Sequence, residues 1–371
     1  MANTFITLKA IARQALPQLI DNLVFPNLVY RDFSEDFHDL GDTIRVRRPV
    51  LLEAEDFDAE NGVNYQDIKE EAVEVKLDHL ATVDAAASAI ETATSIDDLN
   101  RVFVEPAAAA LAEKINRDGL MLYADIPYVT GVAGSTPSTL DDLADVRRRL
   151  NQNRVPVLER VAVWDPEADA AFTKIPAIVN AEKSGDAAAL RDGSIGRVFG
   201  MDHYMSQAVR KHVTGITAAS GVKVSGAVSE GATQLNLKGT SLTGRLVRGD
   251  VLKIGDRDFV VTEDSTAAAS NAISGVKVYP ALPALADNAE VVLAGSHTAN
   301  LAFHPKAFAY VTRPLLNPDG QGVASYVTSY NGISLRVTKG YDQKYKRSVY
   351  SMDVLYGFKT VYPELAVRVM G

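Results

Sequence analysis

The chain has 371 residues, of which 47% are hydrophobic and 23% are charged. These proportions are those of ordinary globular domains and exclude a disordered tail or a collagen-like fibre. At roughly 150 residues per domain, the length predicts two or three domains. There is no cysteine, which excludes disulfide frameworks, thiolate nucleophiles and cysteine-ligated metals. The net charge of −9 argues against a dedicated nucleic-acid-binding protein, since such proteins neutralise phosphates with a clustered basic surface.

The N-terminal segment has an interrupted helical pattern. Its first residues lack the cationic start and continuous apolar run of a signal peptide, and no apolar stretch reaches the roughly 20 residues of a membrane span. We therefore expect neither export nor a membrane partner. Between Phe5 and Val29 apolar residues recur as on one helical face, but Pro17 and Pro26 are expected to break the helix into short pieces. Residues 1–41 are thus predicted to form an arm rather than a core helix.

Residues 42–80 predict an extended two-stranded hairpin. Arg45 and Arg47 alternate with apolar residues, as in a strand with one polar face. After an acidic stretch and the turn dipeptide Asn61-Gly62, apolar and charged residues alternate again. An isolated hairpin of this kind is marginally stable in water, so we expect it to lie on another surface. A solvated surface hairpin of one compact domain is the alternative.

The acidic stretch has some features of a calcium loop. Asp56, Asp58 and Glu60 place carboxylates at alternate positions, as a hard cation with oxygen ligands requires. The expected glycine is one place late, however, and the twelfth position is Asp67 instead of glutamate. We therefore favour a solvated acidic tip that meets arginines of a neighbouring subunit, and we expect no metal site.

Two helices are predicted in the next segment. Ser95 begins a capping-box pattern, and the apolar stripe after it predicts a long helix over residues 95–123, with Pro106 marking a kink or a break. A second helix is predicted from residue 140 to about residue 151. Acidic residues begin it and an arginine triplet, residues 147–149, ends it, as the helix dipole favours. Contact of this triplet with phosphate or with a neighbouring subunit is the alternative.

A change of composition marks a separate β-rich segment. Residues 81–213 and 298–371 predict one α+β core. Residues 214–297 are instead rich in small residues and valine, with short alternating runs separated by turn signals such as Gly255-Asp256. This pattern predicts a small all-β barrel or sandwich inserted into the core, since insertions are tolerated at exposed loops.

The sequence contains no recognisable catalytic motif. A phosphate-binding Walker loop and a Gly-x-Ser-x-Gly elbow are both missing, and the six histidines never form the His-Glu-x-x-His pattern. We therefore expect a protein that is not an enzyme and that has no cofactor. A hydrolase that uses a carboxylate pair without a sequence motif is the alternative.

The order of these elements resembles the major capsid proteins of tailed bacteriophages, whose shared fold is named after phage Hong Kong 97. Residues 42–80 resemble that family's E-loop, residues 95–123 its spine helix, and residues 192–202 a stretch that leads into a strand of its axial domain. Residues 214–297 are similar in place and character to the inserted domain of the Salmonella podophage coat proteins. The resemblance implies an α+β fold with an N-terminal arm, an E-loop, a peripheral domain, an axial domain and an inserted β domain.

The resemblance also implies a function. It implies a structural protein that assembles with itself as pentamers and hexamers into an icosahedral shell, with scaffolding and portal proteins as further partners. The shell would enclose double-stranded DNA without sequence-specific binding, in the virion capsid, after assembly in the host cytoplasm. No cofactor, metal or membrane is implied. The implied inter-subunit contacts in the hairpin are Arg45, Arg47, Arg48, Glu53, Glu55, Asp56, Asp58 and Glu60.

Two other functions fit the sequence less well. An encapsulin-like compartment would share the fold and package enzymes instead of DNA. A β-rich adhesin or glycan-binding surface protein would explain residues 214–297, but the missing export signal and the missing cysteines count against it.

Overall fold

The structure is a computed structural model that describes residues 4–31, 43–47, 72–88, 103–180, 192–317, 323–330, 332–345 and 347–371. Every helix in these ranges is too short or too polar to cross a membrane. The helices are α1 (Thr4–Asn22), α2 (Phe25–Leu28), α3 (Glu105–Leu120), α4 (Leu140–Gln152), α5 (Pro166–Phe172) and α6 (Pro176–Val179), with 3-10 turns at Met121–Asp125, Pro305–Ala307 and Pro363–Leu365.

The strands before the β-rich segment are β1 (Thr43–Arg47), β2 (Ala72–Lys76), β3 (His79–Ser88), β4 (Val129–Gly131), β5 (Val161–Trp164), β6 (Arg197–Val198), β7 (Met201–Met205) and β8 (Lys211–His212). Those within it are β9 (Ile216–Ser220), β10 (Lys223–Val224), β11 (Gln234–Lys238), β12 (Ser241–Gly244), β13 (Val251–Ile254), β14 (Arg257–Val261), β15 (Ala272–Tyr279) and β16 (Val292–Leu293). Those after it are β17 (His297–Phe303), β18 (Phe308–Arg313), β19 (Ala324–Tyr330), β20 (Ile333–Asp342), β21 (Arg347–Thr360) and β22 (Ala366–Met370).

Two sheets organise the chain outside the β-rich segment. A mixed sheet has the strand order β4-β22-β17-β5-β7-β6, with β8 paired to β17. An antiparallel sheet has the order β18-β21-β20-β19, with β3 paired to β21. Helices α1 and α3 pack on the antiparallel sheet, and α4 packs beside β4 and β22 of the mixed sheet.

Strand β5 shows why the mixed sheet is buried on both faces. Its side chains alternate between faces, as in any strand. Val161 and Val163 join the large apolar cluster that includes α1 and α3, whereas Ala162 and Trp164 join a second cluster formed with α4 and α5. The mixed sheet therefore lies between two apolar layers.

The β unit, which we define as residues 216–293, forms its own sheets and its own apolar cluster. Its strands have the orders β10-β11-β15-β14-β13-β16 and β12-β9, and neither sheet takes a strand from outside the unit. Leu235 and Leu237 of β11 point into this cluster, and the neighbouring residues of the strand are exposed or half-buried. Gly255 and Asp256 form the predicted turn between β13 and β14. The predicted all-β character of this segment is therefore confirmed.

The N-terminal helix corrects one expectation. Helix α1 continues through Pro17, so the prediction that prolines break this segment into short pieces is wrong. Ile11, Leu16 and Leu19 are at most 4% exposed and belong to the large apolar cluster. Burying each such side chain contributes about 1.5–3 kcal/mol, which together exceeds the roughly 3 kcal/mol cost of an interior proline. Helix α1 is thus a core helix of its own subunit, and not an arm without a core face.

The two helices predicted in the core are found. Helix α4 matches the predicted span, and its N-cap Thr139 forms a capping box with Asp142. Helix α3 begins at Glu105, with Pro106 in its first turn, where a missing N–H is tolerated. The expected helix start at Ser95 lies outside the described residues.

Candidate assembly surfaces

The base of the predicted hairpin is anchored on its own subunit. Strands β1 and β2 are antiparallel, and Arg45 lies opposite Glu74 in the pair. Val75 is fully buried in a small cluster with residues of β18 and with Val361. A Cβ atom at Gly357 of β21 would collide with the backbone carbonyl of Lys76, so only glycine allows β2 to pass this close to the sheet. The two described strands of the predicted hairpin are therefore fixed on the sheet.

The paired strands that the sequence predicts on either side of the acidic stretch are confirmed. Arg45 and Arg47 lie on β1, opposite Glu74 and Ala72 respectively. The other predicted contact residues lie outside the described residues and are Arg48, Glu53, Glu55, Asp56, Asp58 and Glu60.

Asn116 of α3 fixes the connection between α1 and α2. Its Oδ1 accepts hydrogen bonds from the backbone N–H groups of Val24 and Phe25, at 3.0 and 3.1 Å. Its Nδ2 donates to the carbonyl of Asn22 at 3.0 Å. Phe25 then packs over Gly119, where a Cβ would collide with the ring, and against the aromatic rings of Phe303, Phe308 and Phe358. One buried amide thus joins the N-terminal helices to the long helix.

The solvent face of α4 carries a basic groove. Its buried face points Leu143, Val146 and Leu150 into the subunit, which leaves Arg147 and Arg148 exposed on the other side. The groove has a volume of about 520 Å³ and is lined by Ala144, Arg147, Arg148, Asn151, Gln152 and Phe199.

Phe199 completes this groove from the turn between β6 and β7. Phe199 and Gly200 both have positive φ angles, +50° and +80°, which suits a tight two-residue turn. The turn places an aromatic ring beside two guanidinium groups at the end of the mixed sheet.

The three arginines of the predicted triplet differ in the ion pairs that they form. Arg149 pairs with Asp258 of the β unit at 2.7 Å, and Arg148 pairs with Asp145 at 3.0 Å. Arg147 forms no ion pair with any residue that the structure describes. Burial, and to a smaller extent the guanidinium of Arg147, lowers the pKa of Arg160. The groove is therefore positively charged and suited to carboxylates or other anionic groups.

His203 is held in the core by contacts of both ring nitrogens. Trp164 Nε1 donates to His203 Nδ1 at 2.9 Å, so the proton of the neutral ring lies on Nε2, which is 3.2 Å from the carbonyl of Val198. Burial lowers the pKa of His203. In the described part of the chain, no three His, Asp or Glu side chains are close enough together to hold a metal ion.

This chain is similar to known proteins in its fold and not in its sequence. The sequence matches no protein-family model and no curated protein. A solved structure from Mycobacterium phage Che8 superposes with a TM-score of 0.52 and 18% identity, over 94% of this chain and 90% of that one. The chain has the Hong Kong 97-type capsid fold. The α+β fold predicted from the order of elements is thereby confirmed.

Two other solved structures superpose less closely. The capsid structure of the cyanophage P-SCSP1u gives a TM-score of 0.48 with 12% identity, over 89% of this chain and 83% of that chain. The capsid of Ralstonia phage GP4 gives a TM-score of 0.47 with 11% identity, over 93% and 87% of the two chains.

Proposed function

We propose that this protein is the major capsid protein of a tailed phage or prophage, which assembles as pentamers and hexamers into an icosahedral shell. The observation that carries the proposal is the Hong Kong 97-type fold over nearly the whole chain. The anchored strand pair supports it, because a two-stranded hairpin is marginally stable by itself and gains stability when it lies on a neighbouring subunit. In this role the protein is structural and not an enzyme.

Each segment has a place in this proposal. Residues 42–80 act as the E-loop and residues 95–123 as the spine helix. Residues 81–213 and 298–371 form the capsid core. Residues 214–297 are an inserted domain of the kind found in the Salmonella podophage coat proteins. Within the N-terminal segment, α1 stabilises its own subunit through buried leucines.

Scaffolding and portal proteins are the further partners that we propose. The shell forms in the host cytoplasm and becomes the virion capsid. It encloses double-stranded DNA without sequence-specific binding, which suits a chain with a net charge of −9, because a strongly basic surface would adhere to phosphates.

We further propose that the acidic stretch of one copy contacts the basic groove of the next. Residues 53–60 contain five carboxylates in eight positions, with Phe57 between two aspartates. The groove offers Arg147 and Arg148 beside the ring of Phe199. Charge and apolar character therefore match on both sides, as at interfaces that combine an aromatic contact with charge complementarity.

Charge reversal tests this contact. The variant Arg147→Glu/Arg148→Glu changes only exposed side chains, so the subunit folds, and we expect at least a tenfold loss of closed shells in sedimentation and electron microscopy. Combining it with Glu53→Lys/Glu55→Lys restores shells. The matched control Lys9→Glu/Arg13→Glu, which reverses two exposed cations of α1, keeps normal assembly.

The outcomes separate the contact from the function. Normal shells from the Arg147→Glu/Arg148→Glu variant would contradict the groove contact and leave the capsid proposal standing. Absence of shells or capsomers from the unaltered chain and its partners would contradict the capsid proposal itself.

A further inference from the structure

Several polar side-chain contacts attach the β unit to the rest of the subunit. Its apolar cluster shares no residue with the other apolar clusters of the described chain. Side-chain contacts that cross the junction include Arg149–Asp258 at 2.7 Å, Arg248–Asp125 at 2.6 Å, Tyr279–Glu364 at 2.7 Å, Arg368 to the Gly249 carbonyl at 2.7 Å and His212–Asp250 at 2.8 Å. Such an attachment depends on charge in a way that a shared apolar core does not.

Two histidines mark where the chain enters and leaves the β unit. His212 ends β8 and lies directly opposite His297, which begins β17. Both side chains are buried, and their ring centroids are 5.4 Å apart. The two connections of the unit therefore meet at one point, where a single charge change acts on both.

His212 links the β unit to the end of the long helix. Its Nε2 lies 2.8 Å from Oδ1 of Asp250, which belongs to the unit. Its Nδ1 lies 3.2 Å from the hydroxyl of Tyr123 in the 3-10 turn after α3. The other carboxylate oxygen of Asp250 accepts a hydrogen bond from the N–H of Val247 at 2.8 Å. This chain of contacts orients the unit on the subunit.

His297 is a buried histidine whose ring can take up a proton at Nε2. Its Nδ1 lies 2.7 Å from the carbonyl of Gly295, so Nδ1 carries the proton of the neutral ring. Its Nε2 is buried without a hydrogen-bond partner among the described residues. Burial, followed by Arg368, lowers the pKa of His297 to about 4.

The positive charge of Arg368 of β22 disfavours a second positive charge on His297. Its guanidinium is fully buried, lies 4.6 Å from the ring centroid of Tyr123 and donates to the Gly249 carbonyl. The charged and titratable groups near His297 are thus Arg368 from β22, His212 from β8 and Asp250 from the β unit. Tyr123 of the 3-10 turn contacts His212 and Arg368. Protonation of His297 adds a positive charge beside the buried guanidinium of Arg368.

We propose that His212, His297, Asp250, Tyr123 and Arg368 form an acid-sensitive latch, which we call the junction latch. At neutral pH it holds the β unit in one orientation on the subunit. When His297 takes up a proton, the latch opens and the unit is released from this orientation, while both apolar clusters stay folded. This inference rests on the described contacts and does not depend on the capsid proposal.

Hydrogen exchange measured by mass spectrometry on the full chain tests the latch. After correction for intrinsic exchange rates, lowering the pH from 7 to 4.5 should open the segments around residues 212–215 and 294–297 and the 3-10 turn Met121–Asp125. The opening equilibrium should rise about a hundredfold, as expected when a buried histidine recovers its ordinary pKa on exposure. Strands β11 and β15 should keep their protection.

Matched variants identify the group responsible. His297→Gln keeps a donor for the Gly295 carbonyl and removes the titration, so the acid response of these segments should disappear. His304→Gln is the control, because His304 is another buried histidine with a lowered pKa, outside the latch. It should leave the response intact. Asp250→Asn should open the same segments already at pH 7.

Two results would overturn the latch. One is an unchanged acid response in the His297→Gln variant. The other is simultaneous loss of protection in the junction, in β11 and in β15, which would show that acid unfolds the whole subunit.

Discussion

Helix α1 and the β unit are attached to the same subunit by different forces. Helix α1 buries Leu16 and Leu19 in the large apolar cluster, and Asn116 of α3 fixes the chain after it. The β unit keeps a separate apolar cluster and is held by ion pairs and hydrogen bonds. Apolar burial is nearly independent of pH and ionic strength, whereas charged contacts respond to both. The attachment of α1 should therefore be nearly insensitive to pH and salt, whereas the attachment of the β unit should respond to both.

The largest change in the free energy of unfolding is expected from a substitution in the buried face of α1. Leu19→Ala removes a side chain with no exposed surface from the large cluster. The free energy of unfolding should fall by about 2–5 kcal/mol, because the lost burial adds to the cost of a cavity. Urea denaturation measures this change. The control Arg13→Ala, at an exposed position of the same helix, should change it by less than about 0.5 kcal/mol.

The attachment of the β unit should respond to acid. His297 has a pKa of about 4 in the folded chain against an ordinary 6.5. The unfolded chain therefore binds a proton first, so the stability that depends on His297 is complete above about pH 6.5 and is lost as the pH falls towards 4. The loss should approach about 3 kcal/mol at 1.36 kcal/mol per pKa unit. Urea titrations across this range should show the loss in the unaltered chain, and a smaller one in His297→Gln.

Asn116 should show an intermediate effect. Asn116→Ala leaves the N–H groups of Val24 and Phe25 without their acceptor in a buried place. The cost of such unsatisfied donors is about 1–3 kcal/mol. Thermal or urea unfolding at pH 7 and at pH 5 should give the same loss, since no titrating group is involved. A strong dependence of the loss on pH would remove the contrast between the two attachments.

The smallest effect is expected from salt. The pair between Arg149 and Asp258 is mostly buried, whereas that between Arg248 and Asp125 is half exposed. Raising the salt concentration to 1 M shortens the screening length to about 3 Å, so the exposed pair should lose up to about 1 kcal/mol and the buried pair less. Arg248→Ala should therefore reduce the salt dependence of hydrogen exchange at the junction more than Arg149→Ala does. Equal effects would contradict this assignment of exposure.

The sequence predicted the elements that depend on neighbouring residues. The turn at Gly255-Asp256, the span of α4 and the pairing of β1 with β2 all follow from local patterns of alternation and capping. It did not predict that α1 runs through Pro17, because burial against distant strands outweighs the local cost of the proline. Local reasoning thus identifies elements better than it identifies their attachments.

In the candidate surfaces too, the sequence predicted what depends on local patterns and missed what depends on distant contacts. Arg45 and Arg47 were predicted on a strand, and they lie on β1. The role of Asn116 left no signal, because an asparagine within a helix looks like any polar surface residue until the chain before α2 packs on it. The meeting of His212 and His297 likewise follows from pairing between β8 and β17, which are far apart along the chain.

Shell formation is the central claim, and one measurement tests it most directly. The purified chain should be imaged by negative-stain electron microscopy, and its mass in solution should be determined by light scattering. The account predicts closed shells, or rings of five and six subunits, with a mass far above the 39.9 kDa of one chain. A monomer that persists even when neighbouring virion genes are co-expressed would contradict it.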